Sequence, residues 1–423
     1  MRLLRTKGRS AKQTETQLAA LERRSGAALD TVLPAVRKIL RDIRKTGDRA
    51  LIRYAQKFDS FTPDSCLRVT PEETVAAWQH LDPSLQQALK TAAANIRTFA
   101  QSQLPKPRQS SSIKGLTTGQ LVRPIESAGC YVPGGRHPLP STMLMTVIPA
   151  QVAGVGRIVV TSPRPAPETL ATAHLLGVTE FYRIGGAHAV AALAYGTETI
   201  PRVAKIVGPG NLYVTAAKRE VAFDASIDML AGPTEIVVTS DKGTPQGIAS
   251  DLIAQAEHDP EALAIFITTN EPLARKVIEE TKQRSKKNSV ARQALSRNGY
   301  VFLASSQEEA QAITNRLAPE HLTVDSEADL AWVQNAGSVF IGPHSPQPMG
   351  DYISGPNHTL PTGGMAKVRG GLSVNDFIKL ITLQQYTAAG LAVLGPHAIR
   401  LAEAEGLTGH AEAIKNRMNS GDQ

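Results

Sequence analysis

The first hundred residues carry apolar positions at helical spacing, bounded by helix-start signals. One predicted helix begins at Thr70-Pro71-Glu72-Glu73, a capping box with proline in the first turn, and the next begins at Asp82-Pro83. The second helix has an apolar stripe with a spacing of three and four residues, formed by Leu85, Leu89, Ala92, Ile96 and Phe99. The chain up to about Pro105 is therefore predicted to be a helical scaffold.

From Tyr131 onward the pattern changes to short runs rich in Val and Ile, each ended by Gly or Pro and followed by an Ala-rich amphipathic stretch. This alternation of strand and helix is typical of a parallel sheet. The predicted strands form two series, Arg157–Thr161, Phe181–Ile184 and Lys205–Val207, then Glu235–Thr239, Ala262–Thr268, Tyr300–Leu303 and Ser338–Ile341. The predicted helices between them include Thr244–Glu257 and Ser306–Arg316. The sequence therefore predicts an α/β fold with two Rossmann-like parallel-sheet domains, a helical N-terminal segment and a small helical C-terminal tail.

Composition supports a globular protein. The chain has 423 residues, of which 42% are hydrophobic and 20% charged, and it is long enough for two or more domains. No run approaches the roughly 18 apolar residues that cross a bilayer, and the start of the chain lacks the features of a secretory signal. We therefore expect a cytoplasmic protein with no membrane partner. The segment Met1–Lys12 is basic and free of acidic residues, and we interpret it as a solvated tail rather than an organelle transit peptide.

Charge and cysteine content narrow the function classes further. The chain has 46 Lys and Arg against 38 Asp and Glu, a net charge of +8, but its basic residues are scattered and only 4% of residues are aromatic, so a nucleic-acid partner is not expected. The surplus charge suits an anionic ligand such as a dinucleotide, and equally suits solubility alone. Cys66 and Cys130 form no Cys-x-x-Cys motif, so any metal must have nitrogen and oxygen ligands.

Three glycine-rich segments are predicted at one edge of a sheet, namely Tyr131-Val132-Pro133-Gly134-Gly135, Gly185-Gly186-Ala187-His188 and Gly208-Pro209-Gly210-Asn211. A glycine turn at the head of a helix directs backbone N–H groups toward phosphate, and ligands of open α/β sheets bind where the strands end. The third segment begins like a dinucleotide fingerprint but has Tyr213 where the third glycine belongs. The segments predict a binding cleft, and structural turns are the alternative explanation.

The stretch Gly350–Gly364 is too rich in Gly and Pro for a helix or a central strand, and we predict a long loop. It carries Asp351, Asn357 and His358, three side chains suited to binding or catalysis. Long loops inside compact chains are usually functional, so we favour a functional loop over a disordered linker.

Candidate metal ligands of nitrogen and oxygen type are present elsewhere in the chain. Gln255 and His258 are three residues apart and therefore share one face near the end of a predicted helix. With Asp351 and His410, they offer a ligand set that suits Zn or Mn. Spacing alone does not assemble this set, and a satisfied surface or core histidine is the alternative for His258.

The adjacent residues Glu320 and His321 follow Pro319, which cannot continue the preceding helix. The pair is therefore predicted at a bend that opens toward a cleft. Histidine titrates near neutral pH and a carboxylate can activate water, so the two form a workable acid/base set. A chance pair on a solvated surface is the alternative.

These segments together resemble the histidinol dehydrogenase family over about Leu21 to Met418. The matching segments are Tyr131-Val132-Pro133-Gly134-Gly135, Gly208-Pro209-Gly210-Asn211, Ala231-Gly232-Pro233-Thr234-Glu235, Gln255-Ala256-Glu257-His258, Ala318-Pro319-Glu320-His321-Leu322, and Gly350-Asp351-Tyr352 through His358. No single segment carries the resemblance, but their combination is highly specific. The resemblance implies an NAD-dependent, four-electron oxidation of L-histidinol to L-histidine through L-histidinal.

The resemblance also implies roles for individual residues. His321 would accept the hydroxyl proton in the first oxidation, and Glu320 would activate water in the second. One zinc ion per subunit would position the substrate, held by Gln255, His258, Asp351 and His410. These six residues would contact substrate together with Thr234, His358 and Glu405. The cofactor contacts would be Tyr131, His188 and Asn211.

The resemblance implies a homodimer in which the C-terminal tail crosses to complete the partner's site. The expected division is an N-terminal helical arm at 1–23, a discontinuous first α/β domain at 24–130 and 236–371 with the metal and acid/base residues, a second α/β domain at 131–235 with the NAD cleft, and a tail at 372–423. The tail is too small to form a hydrophobic core of its own and must pack against other structure. This agrees with a tail that crosses to the partner.

Two residues depart from the family pattern. Thr234 stands where the family commonly has serine, and this change keeps the hydroxyl. His188 stands where glutamine is expected, so an imidazole replaces an amide at a cofactor contact. We expect an NAD affinity that is weakened or depends on pH, and no change of cofactor.

Three other functions compete with histidinol oxidation. A relative that oxidises a different polar alcohol would share the zinc and acid/base residues, but His358 and Glu405 favour histidinol. A zinc hydrolase would use the same residue types and would leave the glycine-rich segments without a purpose. A nucleotide-binding scaffold without activity disagrees with the presence of every expected ligand and of the pair Glu320-His321.

Overall fold

The structure is a computed structural model that describes residues 1–24, 29–62, 65–134 and 138–419. Gly135, the last residue of the first glycine-rich segment, lies outside the described residues. The strands are β1 (Arg2–Arg5), β2 (Arg108–Ile113), β3 (Leu116–Pro124), β4 (Ser127–Tyr131), β5 (Arg157–Thr161), β6 (Glu180–Tyr182), β7 (Lys205–Val207), β8 (Ser226–Ile227), β9 (Glu235–Thr239), β10 (Leu263–Thr268), β11 (Gly299–Leu303), β12 (His321–Val324), β13 (Ser338–Ile341) and β14 (Ile378–Tyr386).

Helices follow most of these strands. They are α1 (Ala11–Glu22), α2 (Leu29–Phe58), α3 (Pro71–His80), α4 (Pro83–Ser102), α5 (Pro140–Ala153), α6 (Pro167–Leu175), α7 (Gly186–Tyr195), α8 (Leu212–Val221), α9 (Pro245–Ala256), α10 (Glu271–Arg284), α11 (Ser289–Asn298), α12 (Gln307–Leu317), α13 (Pro348–Tyr352), α14 (Ala388–Ala404) and α15 (Thr408–Asn419). None of the described helices is long and apolar enough to cross a membrane.

Two parallel sheets lie in one compact unit, Met1–Gln103 with Glu126–Phe377. The first sheet has the strand order β1-β11-β10-β9-β12-β13. Alternate residues of its strands enter separate cores, with Ile236 and Phe266 on one face and Val237 and Ile265 on the other. A sheet buried on both faces needs helices on both sides, which is the layered α/β arrangement predicted from the sequence.

The second parallel sheet has the order β6-β5-β4-β7-β8. The long helix α2 packs against α7 and α8 over this sheet, with Leu51 and Ala55 in the shared core. The α/β fold class with two Rossmann-like sheets is thus confirmed. The finer division of this unit into two domains stays a prediction.

The second compact unit consists of Leu104–Ile125 and Ile378–Gln423. Its sheet is antiparallel, with the order β14-β3-β2. Helices α14 and α15 pack against each other, and Gly395 lets them approach, because a side chain there would meet the Met418 sulfur at 2.6 Å.

Three local predictions were wrong. The basic start of the chain is not a solvated tail, since β1 pairs in parallel with β11 at the edge of the first sheet. The C-terminal tail is not wholly helical, because β14 precedes its helices and pairs with β3 over nine residues, Ile378–Tyr386. The long loop at Gly350 begins within a short helix, α13, which includes Asp351.

Candidate active site

The pair Glu320-His321 lies at the amino end of β12, beside the amino end of β9. Helix α12 ends at Leu317. Its C-cap residue Ala318 has a left-handed backbone with a φ of 45°, and Pro319 then prevents further helix. His321 is in register with Ile236 of β9 and Ser338 of β13. The predicted bend is therefore present. The pair lies at the amino ends of the strands, however, whereas ligands of open α/β sheets usually bind at the carboxyl ends.

The Glu320 carboxylate is buried and accepts two hydrogen bonds. Its Oε2 atom accepts from the Thr234 hydroxyl at 2.6 Å and from the Glu235 backbone N–H at 2.7 Å. Two donors on one oxygen fix the orientation of the carboxylate next to His321.

The imidazole of His321 is oriented by a backbone carbonyl. Its Nδ1 atom lies 3.0 Å from the Glu235 carbonyl oxygen, which can only accept a hydrogen bond. Nδ1 therefore carries a proton, and Nε2 is the atom free to accept one. That Nε2 atom lies 3.7 Å from the Asp351 carboxylate.

Two carboxylates set the proton affinity of His321. Burial works against the charged imidazole, but Glu320 and Asp351 outweigh it and raise the pKa of His321 to about 10. Burial raises the pKa of Asp351 in turn, and the contact with His321 overcomes this and lowers it. The pair thus favours a proton on the imidazole and a charge on Asp351.

Gln255, at the end of α9, reaches the same centre from another element. Its Nε2 atom donates to the Thr234 hydroxyl and lies 3.5 Å from His321 Nδ1. Within the described residues, its Oε1 atom is buried and has no hydrogen-bond partner. A buried carbonyl oxygen without a partner fits a cation ligand.

The other three predicted metal ligands lie at different elements of the fold. Asp351 joins the centre through His321 and accepts from Gln347 at 2.9 Å. His258 is exposed just beyond the end of α9. His410 and Glu405 belong to the second compact unit and are exposed. In the described part of the chain no three His, Cys, Asp or Glu side chains form a metal site.

The loop after α13 closes over the centre. His358 donates from Nδ1 to the Asp351 carbonyl at 2.8 Å, and its Nε2 atom lies 3.4 Å from the Thr142 hydroxyl at the start of α5. Burial lowers the pKa of His358. A cavity of about 340 Å³ lies beside this loop, and His321, His358 and Asn357 are among the residues that line it. This volume suits a small polar substrate.

Sequence reasoning missed one buried ion pair at the site. Arg24 contacts Glu235 through two hydrogen bonds of 2.5 and 2.6 Å, and Glu235 also accepts from the Gly363 backbone N–H at 3.0 Å. Glu235 therefore links the N-terminal helix, the loop after α13 and the backbone that holds both catalytic candidates. Glu235 could have been noticed because it stands beside Thr234 in a segment that matches the family. Its partner Arg24 is 211 residues away in sequence, so the pair could not be predicted.

The glycine-rich segments meet at the carboxyl edge of the second sheet. Gly208 has a φ of +114°, and a side chain there would lie 2.1 Å from the Tyr131 carbonyl oxygen. Asn211 is exposed and caps α8 by accepting from the backbone N–H groups of Tyr213 and Val214. Tyr131 is buried, which raises its pKa to about 12. His188 is 1% exposed, so its ring lies in the interior.

Comparisons with known proteins point to one family. The model of the histidinol dehydrogenase family matches residues 22–418. Histidinol dehydrogenase from Bacillus cereus is 45% identical over 418 residues, covering 96% of this chain and 97% of the relative. Its counterpart from Methanothermobacter thermautotrophicus is 44% identical over 415 residues, covering 95% and 97%. The crystal structure of histidinol dehydrogenase from Elizabethkingia anophelis superposes with a TM-score of 0.93 at 36% identity, covering 100% of this chain and 99% of that one.

Fold and site together define an α/β oxidoreductase with a buried carboxylate and imidazole at its centre. The chain belongs to the histidinol dehydrogenase family.

Proposed function

We propose that the protein oxidises L-histidinol to L-histidine in two steps at the Glu320–His321 centre, using two molecules of NAD. The observation that carries this proposal is the arrangement of the pair. Nδ1 of His321 is held by the Glu235 carbonyl at 3.0 Å, which leaves Nε2, 3.7 Å from Asp351, as the nitrogen that takes up and releases a proton. The Glu320 carboxylate lies 3.6 Å from the same imidazole. One group can accept a proton and the other can activate water.

In the first oxidation, Nε2 of His321 accepts the hydroxyl proton of histidinol while a hydride leaves the same carbon for NAD, giving histidinal and NADH. The imidazolium that forms lies beside Glu320 and Asp351, which stabilise its charge. Against the opposing effect of burial, these carboxylates raise the pKa of His321 to about 10. If Asp351 faces a cation, the carboxylate attracts the imidazole proton of His321 less strongly. This favours the neutral form of His321, which can accept a proton.

In the second oxidation, Glu320 accepts a proton from water as the water oxygen bonds to the aldehyde carbon. The tetrahedral alkoxide that forms loses a hydride to a second NAD and becomes a carboxylic acid. This acid then releases its proton to solvent and leaves as the carboxylate of histidine. The hydrogen bonds from Thr234 and Glu235 keep Glu320 in place for both steps. A single enclosed site keeps the reactive aldehyde away from amines and bulk water.

Gln255, His258, Asp351 and His410 would hold the zinc ion, which when bound positions the imidazole and amine of the substrate. The unpartnered Oε1 atom of Gln255 fits this role. Thr234, His358 and Glu405 would complete the substrate contacts. His358 already forms part of the cavity wall next to His321.

NAD would bind at the carboxyl edge of the second sheet, where Tyr131 is the last residue of β4 and Asn211 follows β7. Gly208 lets the backbone approach closely at this edge. His188 lies in the first turn of α7, directly after the Gly185–Gly186 turn at this edge.

A homodimer would supply His410 and Glu405 from the partner's tail. The second unit exposes large apolar side chains on β14 and α14, namely Leu380, Ile381, Tyr386, Val393 and Leu401. An apolar surface of this kind is typical of a protein interface. The dimer therefore explains both the exposed surface and the incomplete ligand set.

A metal-dependent assay tests the proposed function. The purified protein is expected to contain about one zinc per chain and to produce NADH when histidinol and NAD are added. Chelation should remove both zinc and activity, and added zinc should restore activity because the metal positions the substrate. A chelated, metal-free protein that keeps its full rate would contradict the zinc assignment. Absence of NADH with histidinol, but turnover of another polar alcohol, would favour the alternative substrate.

A further inference from the structure

The carboxylate of Asp59 closes the glycine turn that follows β6. Its Oδ2 atom accepts from the Gly185 backbone N–H at 2.9 Å and lies 2.7 Å from His188 Nε2. Asp59 directly follows α2 and is 7% exposed, while His188 is 1% exposed. Buried charges and polar groups are stable when they are paired, so Asp59 and His188 depend on each other.

The turn that they hold has little freedom. A side chain at Gly185 would lie 2.4 Å from the Pro163 ring, and Gly186 has a φ of +57°. The Gly186 N–H donates to the Tyr131 hydroxyl at 3.0 Å. Both glycine amides thus have protein partners, and the shape of the turn is determined by Asp59 and Tyr131.

The His188 ring is enclosed by apolar neighbours. The rings of Tyr54 and Phe58 lie with centroids 6.3 and 6.1 Å from it. Its Nε2 atom faces Asp59 and not the edge of the sheet. An imidazole in this position acts on the turn only through the carboxylate.

We propose that Asp59 and His188 are positioning residues for NAD, a buried pair that fixes the Gly185–Gly186 turn, so that His188 acts through Asp59 and does not touch the cofactor. This inference rests on the proposed binding of NAD at the carboxyl edge of the second sheet. It adds Asp59, which directly follows α2 and which the sequence did not connect with the cofactor, to the determinants of cofactor affinity.

A double-mutant cycle on NAD affinity tests the pairing. Asp59→Asn keeps an oxygen that can accept from the Gly185 N–H but removes the charge that faces His188. His188→Leu removes the Nε2 atom that contacts Asp59. Each substitution is expected to raise the Kd for NAD about tenfold, within the usual coupling of contacting residues. The Kd of the double variant for NAD should lie within about threefold of that of the single variant that binds NAD less tightly. Both substitutions remove the same interaction, so their effects should not add. Additive losses of about a hundredfold, or no change in Asp59→Asn, would overturn the proposal.

Steady-state kinetics separate positioning from general damage. The KM for NAD should rise in both variants, while kcat at saturating NAD and the KM for histidinol stay within about twofold of the wild type. Asp30→Asn, at an exposed acid in the first turn of α2, serves as the control and should leave all three parameters unchanged. An equal fall in kcat would show structural damage and would count against the proposal.

A conservative variant covers the case in which His188→Leu folds poorly. His188→Gln retains an N–H donor for Asp59, and its Kd for NAD should lie within about threefold of the wild type. A Kd as weak as that of Asp59→Asn would overturn the pairing. If the wild-type protein itself binds no NAD, the proposed function fails instead, which distinguishes the two failures.

Discussion

Replacing His321 by asparagine lowers kcat for histidinol by a factor of about 10² to 10⁴, the range expected for one positioned acid/base group. The asparagine amide can still donate to the Glu235 carbonyl, which His321 Nδ1 contacts at 3.0 Å. The substitution therefore removes the proton acceptor at Nε2 while leaving the neighbouring hydrogen bonds in place. The measurement is the rate of NADH formation at saturating histidinol and NAD.

Two readouts control for damage in this variant. Zinc content and the Kd for NAD should match those of the wild type, because neither is proposed to depend on His321. A variant that keeps a tenth or more of the wild-type kcat would contradict the role of His321 as the base.

Replacing Glu320 by glutamine should stall the second oxidation more than the first. The amide can still accept from Thr234 and from the Glu235 N–H, so the side chain keeps its position, but it has lost the charge that draws a proton from water. We expect the aldehyde step to slow by about 10² or more, within the range of general base catalysis. The yield of NADH in a single turnover should therefore fall from about two per histidinol toward about one.

The first and second steps can be followed separately by supplying histidinol or histidinal. Glu327→Gln, at an exposed acid that follows β12, is the matched control and should be indistinguishable from the wild type. Equal slowing of both steps in Glu320→Gln would contradict the division of roles between Glu320 and His321.

Local patterns predicted the strands well where glycine and proline mark their ends. The predicted bounds of β5, β7, β9 and β13 agree with the structure. Three of them, β5, β7 and β9, lie in the interior of their parallel sheets, and their Val and Ile residues reflect that environment. The fold class followed from the same alternation of strand and helix.

The missed strands depend on distant partners. The basic segment Arg2–Arg5 is a strand because it pairs with Gly299–Leu303, nearly three hundred residues later. The segment Ile378–Tyr386 is a strand because Leu116–Pro124 lies beside it. Neither pairing leaves a local signal, since edge strands tolerate polar residues and need no alternating core face.

The same distinction applies to the site. Glu320 and His321 were predicted because they are adjacent and follow a proline that ends a helix. Arg24 and Asp59 were missed because each acts on a backbone or carboxylate more than a hundred residues away. Their charges look like ordinary surface residues in the sequence, and only the folded chain shows them to be buried partners.

The central claim is that one site carries out both oxidations, so the most direct measurement is the fate of the aldehyde between them. Wild-type protein is supplied with limiting histidinol and excess NAD in the presence of a nucleophilic aldehyde trap. The account predicts about two NADH per histidinol, histidine as the product and almost no trapped histidinal, because the intermediate stays at the Glu320–His321 centre. Trapping of most of the aldehyde, with about one NADH per histidinol, would contradict it.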